Sequence, residues 1–188
     1  MFTGIVQAVG RIVRTNPLEI DVAGLDLADV AVGDSICVQG VCLTVTALRP
    51  RGFSADVSEE TLRVTAGLER AGAVNLEKSL ALGGKLGGHL VTGHVDGVGE
   101  VLRRAGSVVA VRVPQPLAKY VAAKGSICID GVSLTVNEIG GRRLGVNLVP
   151  HTLAVTTARD WRVGARVNCE VDMIARYLER LANPADRP

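Results

Sequence analysis

One six-residue phrase occurs twice in this chain. Gly40-Val41-Cys42-Leu43-Thr44-Val45 returns as Gly131-Val132-Ser133-Leu134-Thr135-Val136, 91 residues on, with serine exchanged for cysteine. A run that alternates apolar with small polar residues and opens on glycine reads as a half-buried strand leaving a turn. The alternation sets Cys42 and Thr44 on one face, and Ser133 and Thr135 on the matching face of the second copy. The repetition continues on both sides. Thr3-Gly4-Ile5-Val6 matches Thr92-Gly93-His94-Val95 at a spacing of 89. Asp56-Val57 and Thr61-Leu62 match Asn147-Leu148 and Thr152-Leu153 at 91, and Val74-Asn75 and Glu77 match Val167-Asn168 and Glu170 at 93. Ordered matches with small drifts mean a tandem duplication.

Each half is about 90 residues of short strands broken by turns, read at residues 12–13, 18–22, 35–39, 41–48 and 53–57 of the first copy. Such spacing suggests a small closed barrel or a sandwich, and at that size a barrel of five or six strands is the easier solution. Short helical segments are expected at residues 25–32 and 115–123, the second with Pro116 in its first turn. The glycine-rich run at 83–88 marks the boundary. The division is therefore 1–87, 88–171 and a tail at 172–188. In the tail, Met173, Ile174, Tyr177, Leu178 and Leu181 recur at helical spacing after Asp172, a suitable N-cap, with Asn183-Pro184 as the stop. A helix of about three turns is marginal alone, so its apolar face needs a barrel or, by slight preference, another subunit.

Composition narrows the function classes. A net charge of +2 with no basic block leaves no electrostatic footprint for nucleic acid or an anionic membrane. No apolar run approaches the roughly 18 residues of a membrane span. The amino end has neither the charged nor the apolar region of a signal peptide, so a cytoplasmic protein is expected. In a reducing compartment Cys37, Cys42, Cys128 and Cys169 are expected as free thiols, with the repeat mates Cys37 and Cys128 as small packing residues.

Chemistry is sought where the copies differ. Ile5 becomes His94, Cys42 becomes Ser133 and Gly33 becomes Lys124, each exchange altering acid, base or nucleophilic character. His89 and His94 do not read as a metal pair, because five-residue spacing puts them on opposite faces of a strand and no cysteine pair or carboxylate completes a ligand set. His94, a lone imidazole between Gly93 and Gly97, is read as a hydrogen-bond partner or proton carrier, with a satisfied structural histidine as the alternative. The glycine run lacks the spacing of a nucleotide-binding loop, and there is no nucleophile elbow.

The opening Met-Phe-Thr-Gly-Ile-Val, both central phrases, Glu60-Thr61-Leu62, the run from Gly88 to Val95, Lys124-Gly125-Ser126, Pro150-His151-Thr152-Leu153, and Val167-Asn168 with Glu170-Val171-Asp172 together resemble the riboflavin synthase family of the alpha-chain type. Gln39 and Glu59 depart from the family's usual asparagine and proline, and Gln39 bears on the turn into the motif. The resemblance implies two similar six-stranded Greek-key barrels, with a carboxy-terminal helix that gathers three subunits into a homotrimer. It implies a dismutation of two 6,7-dimethyl-8-ribityllumazine molecules to riboflavin and 5-amino-6-ribitylamino-uracil, without metal or organic cofactor. Association with lumazine synthase is left open.

By the same resemblance, the first pocket draws on Gly4, Ile5, Val6, Ser35, Cys42, Leu43, Thr44, Asp56, Val57, Ser58, Glu59, Glu60 and Thr61, with Phe2 close by. The second draws on Gly93, His94, Val95, Lys124, Ser133, Leu134, Thr135, Leu148, Val149, Pro150, His151, Thr152 and Leu153. Ser133, Asp172, His94, Cys42 and Thr135 are the residues expected around the chemistry. The rival readings are a non-catalytic lumazine or flavin carrier and a duplicated binding module with no reaction.

Overall fold

Both repeats close into antiparallel barrels of six strands. The computed structural model describes residues 1–183; Pro184, expected in the stop of the tail helix, lies outside them. The first barrel comprises β1 (Ala8–Thr15), β2 (Leu18–Asp21), β3 (Ser35–Val38), β4 (Val41–Arg49), β5 (Gly52–Ala55) and β6 (Gly72–Lys78). The second comprises β7 (Gly97–Ala105), β8 (Val108–Arg112), β9 (Ser126–Ile129), β10 (Val132–Gly140), β11 (Arg143–Asn147) and β12 (Arg166–Val171). The first runs β1-β2-β5-β4-β3-β6 around its wall, and the second repeats that order as β7-β8-β11-β10-β9-β12. This is Greek-key connectivity, with the chain crossing from β2 to β3 and returning through β4 and β5.

The alternation in the repeated phrase does what its pattern requires. Val41, Leu43 and Val45 face the first core while Cys42 is half-buried and Thr44 exposed; β10 repeats this with Val132, Leu134 and Val136 inside. Register shifts interrupt the long strands at matching places, between Val45 and Ala47 in β4 and between Val136 and Glu138 in β10. Such bulges add bend and twist, which lets a short sheet close on itself. Ile12, Ile20, Ile36, Phe53 and Leu76 fill one core, and Ile127, Ile129, Leu144, Val146 and Trp161 the other. Each such burial contributes about 1.5–3 kcal/mol.

The barrels meet about a local two-fold axis. The turns before β4 and β10 carry positive φ at both central residues, 51° and 87° at Gln39-Gly40 and 51° and 80° at Asp130-Gly131. That is the primed geometry of two-residue hairpins, for which Asn-Gly and Asp-Gly are preferred. Gln39 nevertheless keeps the turn: its N–H donates to the Asn75 carbonyl (2.8 Å), and its Oε1 accepts from the Asn75 N–H (2.9 Å). Asp130 makes the same pair of bonds with Asn168, both 2.8 Å. The two tips touch, since a Cβ on Gly40 would stand 2.8 Å from the Gly131 nitrogen. Asn75 Nδ2 donates across the axis to the Asp130 carbonyl (2.8 Å), and Asn168 Nδ2 to that of Gln39 (2.9 Å). Phe2 and Val91, themselves repeat mates, pair on the axis with Cys37 and Cys128.

The helical expectations fare unevenly. Residues 25–32 form turns only, while Gln115–Tyr120 is a 3-10 helix with Pro116 at its start. Two six-residue helices, α1 (Glu59–Val64) and α2 (Pro150–Val155), were not expected, because so few residues display no helical period. Ser58 Oγ accepts from the Thr61 N–H (3.1 Å) to cap α1, and Glu59 and Glu60 suit its positive end, so the departure from proline at 59 is harmless. In α3 (Met173–Ala182), Asp172 Oδ1 accepts from the Ile174 N–H at 2.9 Å, as an N-cap should. Glu179 bonds Lys119 and Tyr120, and Arg176 bonds Asp96 (2.6 Å), so polar residues tie α3 to its own barrel. Its apolar residues Ile174, Tyr177, Leu178 and Leu181 are left 55–72% exposed.

Candidate active site

Two buried carboxylates hold the segments that approach the repeated phrases. Glu77 on β6 accepts from Thr3 N–H (2.7 Å), Thr3 Oγ1 (2.8 Å) and Gly4 N–H (3.0 Å). Glu170 on β12 accepts from Thr92 N–H (2.7 Å), Thr92 Oγ1 (2.7 Å) and Gly93 N–H (2.9 Å). Burial pushes the Glu77 carboxyl above its ordinary value, against the opposing pull of the three donors. With their N–H groups so engaged, Gly4 and Gly93 present their carbonyls outward. Gly4 O accepts from Ser133 N–H and Gly93 O from Cys42 N–H, each at 2.8 Å. Both glycines lie at positive φ, and a Cβ on either would stand 2.7 Å from the Cβ of Ser133 or Cys42. Glycine is needed twice over.

These contacts cross the repeats, whereas the pocket grouping implied by the resemblance keeps each segment with the phrase of its own repeat. Within one chain, the amino-terminal segment meets the phrase of the second barrel, and the segment at 92–95 meets that of the first. Val6 packs into the second core and Val95 against the first, consistent with the exchange. One candidate half-site therefore gathers Gly93, His94 and Val95 with Cys42, Thr44, and Ser35, which pairs with Thr44. On that side α1 leaves β5 with Asp56, Ser58, Glu59 and Glu60 exposed, and Val57 and Thr61 half-buried. The other half-site gathers Gly4, Ile5 and Val6 with Ser133 and Thr135. There Val149, Pro150 and His151 are exposed, and Thr152 and Leu153 half-buried. Lys124 is exposed, donates its N–H to the Val136 carbonyl (2.7 Å) and has a left-handed backbone, φ 68°, where its repeat mate Gly33 has φ 98°.

Several expected contact residues are elsewhere. Leu43, Leu134 and Leu148 point into the cores at 4%, 6% and 0% exposure, so their side chains cannot wall an outer pocket. Phe2 is wholly buried on the axis and acts as a wedge between barrels. His94 is exposed beside Gly93, on the Cys42 side, and is not the imidazole next to Ser133.

That imidazole is His89, which the sequence reading set aside with the metal hypothesis. Its Nδ1 lies 2.7 Å from Ser133 Oγ, and its backbone N–H donates to Thr3 O (3.1 Å). Gly88 lets the linker pass here, since a Cβ would fall 2.1 Å from Thr3 O and 2.8 Å from Ser133 Cβ. His89 is 9% exposed and its Nε2 is buried without a partner. Burial lowers its pKa, while Asp172 and then Glu170 oppose the fall. Burial thus favours the neutral ring, able to accept a proton, with a carboxylate nearby to steady the cation. The glycine at 88, which lets a backbone come close, was the only sequence signal for this arrangement.

The half-sites are open faces in the single chain. A cleft of about 430 Å³ reaches Ile5 and Gly87 but none of Cys42, Thr44, Ser133 or Thr135. Among the described residues no cluster of three or more His, Cys, Asp or Glu side chains could hold a metal ion, and no helix is long and apolar enough to cross a membrane.

Comparison with known proteins places this geometry. The family model of the lumazine binding domain matches residues 3–79 and again 92–172. The riboflavin synthase of Photobacterium phosphoreum is 48% identical over 193 residues, covering 96% of this chain and 88% of the relative. That of Mycobacterium bovis is 47% identical over 201 residues, covering 98% and 100%. The solved structure of LumP complexed with 6,7-dimethyl-8-(1'-D-ribityl) lumazine superimposes with a TM-score of 0.77 at 26% identity, over 91% of this chain and 99% of the other. LumP complexed with riboflavin gives 0.77 at 27%, with the same coverage. The chain belongs to the riboflavin synthase family, built from two lumazine binding domains.

Proposed function

We propose that the protein catalyses the dismutation of two 6,7-dimethyl-8-ribityllumazine molecules, moving a four-carbon unit between them to give riboflavin and 5-amino-6-ribitylamino-uracil. The observation that carries this reading is the pair of equivalent cradles, each in a lumazine binding domain, with different reactive groups on the same strand position. A reaction between two copies of one molecule needs two like sites, and unequal chemistry in them. Holding two rings in reactive contact can itself supply much of the acceleration.

In this reading the neutral His89, bonded to Ser133 Oγ, takes a proton from the acidic 7-methyl group of one lumazine through the hydroxyl, and Asp172 steadies the imidazolium. A nucleophile or hydroxide adds to the other ring on the Cys42 side, where His94 and Thr44 are exposed. Thr135 and Lys124 orient the ribityl-bearing ring on the Ser133 side. Residues 1–87 and 88–171 serve as the two substrate modules, and 172–188 as the assembly segment.

The open half-sites and the outward apolar face of α3 support closure by neighbouring subunits in a homotrimer. Leu178→Glu is expected to shift the light-scattering mass to that of one chain and abolish turnover; a trimer surviving the substitution would overturn the role of α3. Four unpaired thiols suit the cytoplasm. The decisive assay supplies purified protein with lumazine alone. Flavin fluorescence should appear, with two lumazines consumed per riboflavin. A change in the ligand's spectrum without flavin would mark a carrier instead.

A further inference from the structure

We propose that Cys37 and Cys42 form an oxidisable dithiol in the first barrel, closed to a disulfide by hydroperoxide. The two residues stand directly opposite on β3 and β4, one pair away from the Gln39-Gly40 turn. Val38 and Val41 flank the two-residue turn as its hydrogen-bonded pair, so Cys37 and Cys42 are the following non-hydrogen-bonded pair. Their outward bonding agrees: the Cys42 N–H donates to Gly93 O (2.8 Å), and Cys37 is in register with Glu77 on the far side. In such pairs the Cα atoms are about 4.5 Å apart and the side chains share a face, within the roughly 4.4–6.8 Å span of disulfides. Cys42 indeed packs against the cluster that contains Cys37.

The thiols differ in access, which orders the chemistry. Cys37 is 2% exposed and Cys42 half-buried, so the oxidant reaches Cys42 first. Its thiolate attacks the hydroperoxide, the O–O bond breaks, and a sulfenic acid forms with release of hydroxide or alkoxide. The Cys37 sulfur then attacks that sulfur, an S–S bond replaces the S–O bond, and water leaves. Two thiols lose two electrons in total and the hydroperoxide gains them. The second barrel cannot do this. Its equivalent pair is Cys128 and Ser133, with one sulfur.

The consequence for activity rests on the proposed function, in which Cys42 belongs to a substrate half-site. Joined to Cys37, the Cys42 sulfur is held toward β3 and lost to that half-site, and bound lumazine shields it from oxidant.

The test treats the full-length protein with hydrogen peroxide, with and without lumazine, then denatures it, alkylates free thiols and digests it with trypsin. Cys37 and Cys42 share the tryptic peptide 15–51. The expected product is that peptide, unalkylated and lighter by two hydrogens, with Cys128 and Cys169 alkylated. Riboflavin formation should fall at least ten-fold, with dithiothreitol restoring both. Cys128→Ala should leave the product unchanged and Cys37→Ala should abolish it. Alkylation of all four thiols, a Cys37–Cys128 link, or a sulfinic acid on Cys42 beside a free Cys37 would each overturn the proposal, and the wild-type map decides this even if a variant fails to fold. Untreated protein that makes no riboflavin refutes the function and leaves the thiol map to be read separately.

Discussion

The Cys42 and Ser133 half-sites are built alike to the level of single hydrogen bonds, yet only one carries an acid–base pair. Each has a carboxylate clasp and a positive-φ glycine whose carbonyl accepts from the reactive residue's N–H. Over Ser133 the linker adds His89, at 2.7 Å; among the described residues the Cys42 thiol has no such partner. The duplication thus supplied two equal cradles, and the difference between them came largely from the segment joining them. Symmetric copies diverge most cheaply where a connecting loop can be re-laid without disturbing a barrel.

The largest expected effect breaks this comparison at its centre. Ser133→Ala and His89→Gln should each lower kcat by roughly 10²–10⁴-fold, the usual range for acid–base groups, while Cys42→Ser, which makes the phrases identical, should lower it less. Steady-state kinetics at saturating lumazine decide it, and equal losses from Ser133→Ala and Cys42→Ser would remove the asymmetry.

Next in size is the contrast between the turn residues Gln39 and Asp130. The Asp130 carboxylate accepts from Trp161 Nε1 (2.9 Å) as well as Asn168, and burial pushes its pKa up to about 7. For an acid raised in the folded state, stability is fullest below the unfolded value near 3.8 and is lost as pH rises toward 7. The fall should be roughly 2–4 kcal/mol. Denaturant unfolding of Asp130→Asn should show a flatter pH profile across that window, and an unchanged slope would exclude Asp130 as its source. A smaller effect is expected of Gly88→Ala, which crowds Thr3 and Ser133 and should destabilise by about 1–3 kcal/mol, with activity falling further than thermal stability explains.

The smallest test exchanges a residue between copies. Lys124→Gly, restoring what Gly33 provides, should relieve left-handed strain by on the order of 1 kcal/mol and raise the melting temperature by about 2–4 °C. Turnover should nevertheless fall, because the cation goes. A variant both more stable and fully active would show that Lys124 does not touch substrate.

The sequence alone was enough for the duplication, the barrels, the polar faces of β4 and β10, and the Asp172 cap of α3. The duplication shows as matches 89–93 residues apart and the six-stranded barrels came with the family resemblance, while the faces and the cap are local patterns, a period of two and a capping side chain. It failed for α1 and α2, too short to show a period, and for residues 25–32, where propensity found no packing face to support a helix. What only the tertiary structure decided was which copy's segment lies on which copy's strand, and hence that Ser133 meets Gly4 and His89 while Cys42 meets Gly93. The two glycine contacts are backbone hydrogen bonds between distant segments, which any residue can make, and the His89–Ser133 bond joins side chains 44 residues apart. What the sequence shows of them is the glycines that permit close approach, Gly88 beside His89 and the pair Gly4 and Gly93, which are the same glycine in both copies.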